Sequence, residues 1–205
     1  MTQPKVAAQR RAIQSRVRSS LNLLSEAKAH GMHPFQIDRV AEVCALRVFI
    51  AWEVFLEGTF LRYMCGAGSM SGVKPACCAS PRDLGHAWNL VCGQSGREFI
   101  DWASPTKVIG RSELYFVNGE PYKSAISPAI VQLTDFRVVR NRIAHDSEPA
   151  RKDFAKMVRG HFGHAFPGMA PGKLLMTVNR SRTGSLTYLE YWSETVDTVA
   201  QLITG

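Results

Sequence analysis

The run from Val43 to Leu56, VCALRVFIAWEVFL, constrains this chain most. It lies inside a helical stretch from Pro34 to Cys65 and is apolar almost all the way round. A helix with one apolar stripe lies on a surface, whereas one that is apolar on every side implies a central element contacted from several directions. Such a helix needs amphipathic partners, and the sequence supplies them. From Ala8 to His30, the residues Ile13, Val17, Leu21 and Leu24 recur at steps of three and four, with arginines opposite and Gly31 placed to end the helix. From Ser127 to Ser147, Ser127 is a capping residue and Pro128 suits the first helical position. Ile130, Leu133, Phe136, Val139 and Ile143 then form a buried stripe. Ser185 to Thr204 closes the set, with Leu189, Trp192, Val196, Val199 and Leu202 facing the core. The expectation is an all-α fold, with four main helices in one domain spanning residues 1–205.

Residues 66–126 break this pattern and read as an insertion, irregular with short β structure. The stretch CGAGSMSGVKPACCAS is rich in turn formers. Arg97 to Trp102 suggests a short strand, Ser104-Pro105 the start of a brief helix, and Tyr115 to Tyr122, with Asn118-Gly119 inside, a hairpin. Beyond Ser147, Arg151, Lys152, Lys156 and Arg159 suggest a basic helix, followed by His161 and His164. Pro167 to Gly172 reads as a loop, Leu174 to Val178 as extended, and Thr183-Gly184 as the end of an Arg-rich turn.

Composition narrows the function classes. Twenty-five Lys and Arg against 17 Asp and Glu give a net charge of +8, which favours anionic partners, nucleic acid first among them. No run reaches the ~18 apolar residues of a membrane span, so no membrane partner is expected. The opening MTQPKVAAQR lacks an apolar signal core. Residues 1–25 hold four arginines and no acid, compatible with a transit peptide, but the stretch also reads as a structural helix, which is the expectation. Five irregularly spaced cysteines argue for a reducing compartment, and the expected location is the cytoplasm. Cys65, Cys77, Cys78, His86 and Cys92 lack the paired spacing of a zinc site. There is no phosphate loop or nucleophile elbow, so no cofactor and no metal are expected.

One polar run is not explained by burial: Arg137, Arg140, Asn141, Arg142 and His145. Positions four apart on a regular helix drift by about 40°, so Arg137, Asn141 and His145 share a face. Arg140 and His145 are five apart and fall roughly 140° apart around the axis. They meet on one substrate only through the reach of Arg140, a distortion near Ala144, or a second subunit. A solvated helix end with favourable charge at its C-terminus would carry similar residues.

Arg140-Asn141-Arg142-Ile143-Ala144-His145 resembles the Arg-x4-6-His signature of the HEPN superfamily, and the chain resembles RiboL-PSP-HEPN-like proteins. Its place near the end of a core helix, before a last C-terminal helix, is similar too. The resemblance implies a HEPN-like bundle and a metal-independent endoribonuclease, in a toxin-antitoxin or phage-defence role, working as a homodimer on RNA. It implies catalytic roles for Arg140, His145 and Asn141, with Arg137 and Arg142 beside them binding RNA; Lys152 and Lys156 on the basic helix either line a route for RNA phosphates or lie on a solvated face. Glu53, in Trp52-Glu53-Val54-Phe55-Leu56-Glu57, would orient a site residue by a charged hydrogen bond; its plainer reading is a solvent-facing or structurally paired carboxylate. An antitoxin protein is a further implied partner. HEPN toxins modified by nucleotidyltransferase antitoxins commonly carry a Tyr two residues beyond the motif His, where this chain has Ser147, so that mode of restraint is not expected. The alternative is a HEPN-like helical module that binds RNA, a nucleotide or a protein without cutting.

Overall fold

Five long helices carry the apolar stripes in the computed structural model, which describes residues 6–93, 100–179 and 185–205. They are α1 (Ala7–Ala29), α2 (Pro34–Met64), α6 (Ile130–Ala144), α7 (Glu148–Phe162) and α9 (Tyr188–Thr204). Four shorter helices lie between them: α3 (Leu84–Cys92), α4 (Pro105–Tyr115), α5 (Tyr122–Ile126) and α8 (Pro171–Met176). The fold is all-α; among the described residues β pairing is confined to two isolated bridges, Cys77 with Phe116 and Val178 with Thr187. No described helix is long and apolar enough to cross a membrane.

The chain divides into two compact units. One comprises Met1–Gln14, Ala51–Ile130 and Asp197–Gly205, and the other Ser15–Ile50 and Val131–Val196. In the second unit, α6 buries Leu133, Phe136 and Val139. The Phe136 ring stacks on Trp192 of α9 at 5.6 Å and takes the edge of Phe49 of α2 at 5.3 Å. Helix α7 begins where Ser147 accepts the Ala150 N–H, and it buries Phe154, Met157 and Val158. It ends at Gly163, whose left-handed φ of 74° an L-residue adopts only with strain. The buried carboxylate of Glu42 on α2 accepts the N–H of Gly172, satisfying a free donor in the first turn of α8.

The first unit is organised around Phe60. Its ring meets Phe116 at 4.9 Å, Tyr122 at 5.1 Å and Trp102 at 5.3 Å. Tyr63 donates its hydroxyl to the carbonyl of Ile203, tying α2 to the end of α9. Arg10 and Asp197 form a two-pronged, part-buried ion pair. The Cys77–Phe116 bridge, with Val117 N–H on Ala76 O, anchors the segment before α3.

Four sequence expectations are corrected. Residues 66–126 carry α3, α4 and α5 rather than mainly irregular and β structure. Asn118 and Gly119 do adopt positive φ, but the chain on either side is helical, so they make a turn between α4 and α5 instead of a hairpin. Pro171–Met176 is helical where Leu174 to Val178 read as extended, and of that stretch only Val178 forms a β-bridge, an isolated one with Thr187. Helix α2 is also not covered on every side, since Val43, Ile50 and Val54 are all more than half exposed. The strand read at Arg97 to Trp102 falls partly, and the turn at Thr183-Gly184 wholly, outside the described residues.

Candidate functional site at the end of helix α6

Helix α6 presents its polar run because Leu133, Phe136 and Val139 fix which side faces the core. Arg137, Arg140, Asn141 and Arg142 are half-buried, whereas His145, just past the helix end, is exposed. The helix does not distort at Ala144. The His145 N–H still bonds the Asn141 carbonyl at 2.9 Å, so helical geometry runs on through the motif. Arg140 and His145 therefore keep their wide angular separation, and distortion is not what joins them.

Arg140 is held on two sides. Its guanidinium carbon lies 5.6 Å from the centre of the Phe49 ring, and Nη1 donates to Asn141 Oδ1 at 3.2 Å. Phe49 is itself fixed edge-on to Phe136, so the cation rests on a rigid aromatic wall. Asn141, expected to orient His145 or a phosphate, has its side-chain oxygen on Arg140.

The neighbouring cations sort by partner. Arg142 and Arg151 both form ion pairs through Nη1 with the same oxygen, Asp146 Oδ1, at 3.1 and 3.0 Å. Lys152 pairs with Glu148 at 2.7 Å on an exposed face of α7. Lys156 instead lines a cavity of about 490 Å³, together with Asp135, Asp153, Met157 and His161. Glu53 lies on the part of α2 that belongs to the first unit.

Sequence reasoning missed one titratable pair in that cavity. His161 Nε2 lies 2.9 Å from Asp135 Oδ2, with the imidazole edge-to-face with Tyr188 at 5.1 Å. Burial, then the nearby Asp135 carboxylate, pushes the Tyr188 hydroxyl above its ordinary range. Asp135 and His161 stand 26 residues apart, and only the packing of α6 beside α7 brings them together. The one available signal was an acid on α6 outside the apolar stripe.

Among the described residues no three His, Cys, Asp or Glu side chains gather as a metal site. No disulfide joins the described cysteines; Cys44 and Cys92 are buried and Cys78 is exposed. Comparison with protein-family models, with curated proteins and with solved structures finds no significant match.

Proposed function

We propose that the chain is an endoribonuclease of HEPN type, cutting RNA through its own 2′-hydroxyl and serving as a toxin or defence effector. The observation that supports this reading most is the pairing, on one helix end, of an exposed imidazole with a guanidinium that is already held. RNA carries its own nucleophile, so the protein need supply only a base, an acid and positive charge at phosphorus. In this reading His145 is the acid–base group, since an imidazole exchanges protons near neutral pH. Arg140 is the phosphate clamp, since a guanidinium can bond two phosphate oxygens at once. Asn141 sets the direction of that clamp through its bond to Nη1. One imidazole per chain does not easily fill both proton roles, so the active species is a two-fold homodimer that brings two motifs to one phosphate.

The competing reading is a HEPN-like module that binds without cutting. The packing of Arg140 on Phe49 favours it, because a structural arginine would be held in the same way.

An RNA cleavage assay decides between them. Intact protein should leave a 2′,3′-cyclic phosphate and a 5′-hydroxyl, and should spare substrate lacking the 2′-hydroxyl at the scission site. The His145→Ala variant should still bind RNA while its rate falls by about 10²–10⁴-fold. Arg140→Ala should lose affinity as well as rate, with a flatter dependence on salt. Unchanged cutting by folded His145→Ala, or cleavage of the 2′-deoxy substrate, refutes the ribonuclease reading; a fully active monomer refutes the shared site.

A further inference from the structure

Next to Asp146 the second unit holds a pocket of about 280 Å³ that the proposed chemistry does not use. Arg142, Arg151 and Arg159 line it, with Phe154, Phe166 and Gly168. Its origin can be followed along the chain. Arg151, Ala155 and Arg159 stand four apart on α7, so they lie in one row, and the small Ala155 leaves space between two long cations. Gly163 ends α7 in a left-handed conformation and reverses the chain. A tight turn follows, closed by the Met169 N–H on the Phe166 carbonyl at 3.2 Å, with Pro167 and Gly168 (φ 77°) at its centre. That turn sets Phe166 as a wall of the pocket.

The arginines are poised for an anion. Two of them already converge through Nη1 on one carboxylate oxygen, Asp146 Oδ1, and Arg151 Nη1 also donates to the Asp146 carbonyl at 2.8 Å. A guanidinium has five N–H donors, so most of theirs remain for another acceptor. No acid lines the pocket, and Arg159 has no acidic partner among the described residues. Three guanidinium groups against one shared carboxylate leave an excess of positive charge around a small concavity. Phe166 adds an aromatic surface that is 40% exposed.

We propose that this pocket binds one nucleotide unit, with its phosphate on Arg142, Arg151 and Arg159 and its base against Phe166. The volume lies just below the ~300–1,000 Å³ usual for small-ligand sites, which suits a single nucleotide and not a longer segment. The shared chemistry is a phosphate joined to a flat ring; its source is either a free mononucleotide or one residue of an RNA strand. This binding does not depend on the ribonuclease reading, so it is measured apart from cleavage.

The test is calorimetric titration of the full chain with 5′-AMP, adenosine, inorganic phosphate, phosphoserine and a 2′-O-methyl oligonucleotide that cannot be cut by 2′-hydroxyl attack. 5′-AMP should bind saturably, at least about tenfold more tightly than adenosine, because charged hydrogen bonds carry the contact. Arg159→Gln and Arg151→Gln should each weaken it about tenfold or more. Both residues are exposed, so the fold should be unaffected, and an unchanged circular dichroism melt checks this. Phe166→Ala should reduce the preference for 5′-AMP over inorganic phosphate about fivefold or more, the loss of one stacked base. Tighter binding of the oligonucleotide than of 5′-AMP, with the same dependence on Arg159, identifies a strand as the source; equal or weaker binding identifies the free nucleotide. The proposal is overturned if neither ligand binds saturably, if the arginine variants bind as the parent does, or if phosphoserine or inorganic phosphate matches 5′-AMP.

Discussion

Gly172 offers a test of the packing that supports this side of the molecule. A Cβ built on Gly172 would lie 2.4 Å from the Asp38 carbonyl oxygen and 2.7 Å from its carbonyl carbon. Carbon–oxygen contacts ordinarily sit at about 3.3–3.6 Å, so α8 and α2 must separate by roughly 1 Å to admit a methyl group. The obstacle is main chain on a helix and does not swing aside. Overpacking of this kind costs about 1–3 kcal/mol. The same separation stretches the 3.0 Å bond from Gly172 N–H to Glu42, and a buried carboxylate losing a donor costs about 1–3 kcal/mol more. The gain in helix propensity offsets at most ~1 kcal/mol. Gly172→Ala should therefore lose about 1–6 kcal/mol of stability net, after these opposing effects. The control is the same substitution at Gly110 in α4, where nothing lies within 4 Å of an added Cβ. Gly110→Ala should gain about 0.5–1 kcal/mol, through a less flexible unfolded chain and better helix propensity. Urea titration followed by circular dichroism measures both. A Gly172→Ala variant as stable as the parent would refute the close approach of α8 to Asp38.

Cleavage should persist in EDTA, because the proposed proton transfers and charge stabilisation come from side chains; activity that vanished and returned with added zinc or magnesium would exclude the mechanism. Burial pushes the Glu57 carboxyl above its ordinary value of 4.5, so the folded chain holds that proton more tightly than the unfolded chain. Ionised Glu57 thus costs stability at neutral pH, and the cost disappears as pH falls toward 4.5; Glu57→Gln should be more stable than the parent near pH 7 and lose that advantage on acidification, read by denaturant midpoints across pH. Tyr122 is fully buried and donates to Thr59 Oγ1 at 3.0 Å, so Tyr122→Phe should cost about 0.5–1.5 kcal/mol in a thermal melt, and no loss would mean that the hydroxyl pair contributes nothing.

The long helices were legible because each buries a stripe long enough to declare its period. Ala8 to His30 became Ala7–Ala29, and Pro34 to Cys65 became Pro34–Met64. The start of α4 was legible in Ser104-Pro105, but α3 and α5 were not, since nine and five residues are too short to declare a period. In α4 the inward residues include Ser112, whose hydroxyl donates to the Ile109 carbonyl and so is satisfied inside the helix. Helix α8 depends on Glu42, 130 positions away, and no local signal records that. At the site, the row of Arg137, Asn141 and His145 followed from helical spacing, and α6 keeps that spacing. What spacing did not reveal is the division of cations: Arg151 and Arg159 line the arginine pocket, while Lys152 and Lys156 look elsewhere. Four-residue steps through Ala155 were visible in the sequence, but the wall supplied by Phe166 needed the turn at Gly168.

The segment between α6 and α7 explains how an exposed His145 can still be well placed. It has three residues, and each is tied to a flanking helix. The His145 N–H bonds back to Asn141, the Asp146 carboxylate joins Arg142 of α6 to Arg151 of α7, and Ser147 caps α7. Ion pairs this exposed add only about 0–1 kcal/mol to stability, so their significance is geometric rather than energetic. They fix the backbone from which the imidazole projects and leave the ring free to meet solvent. The proton-transfer role proposed for His145 would benefit from that combination, because a fixed origin reduces the entropy lost on reaching the reactive geometry. The same Asp146 couples this connector to the arginine pocket. An anion in the proposed pocket would share Arg142 and Arg151 with Asp146, the residue next to His145.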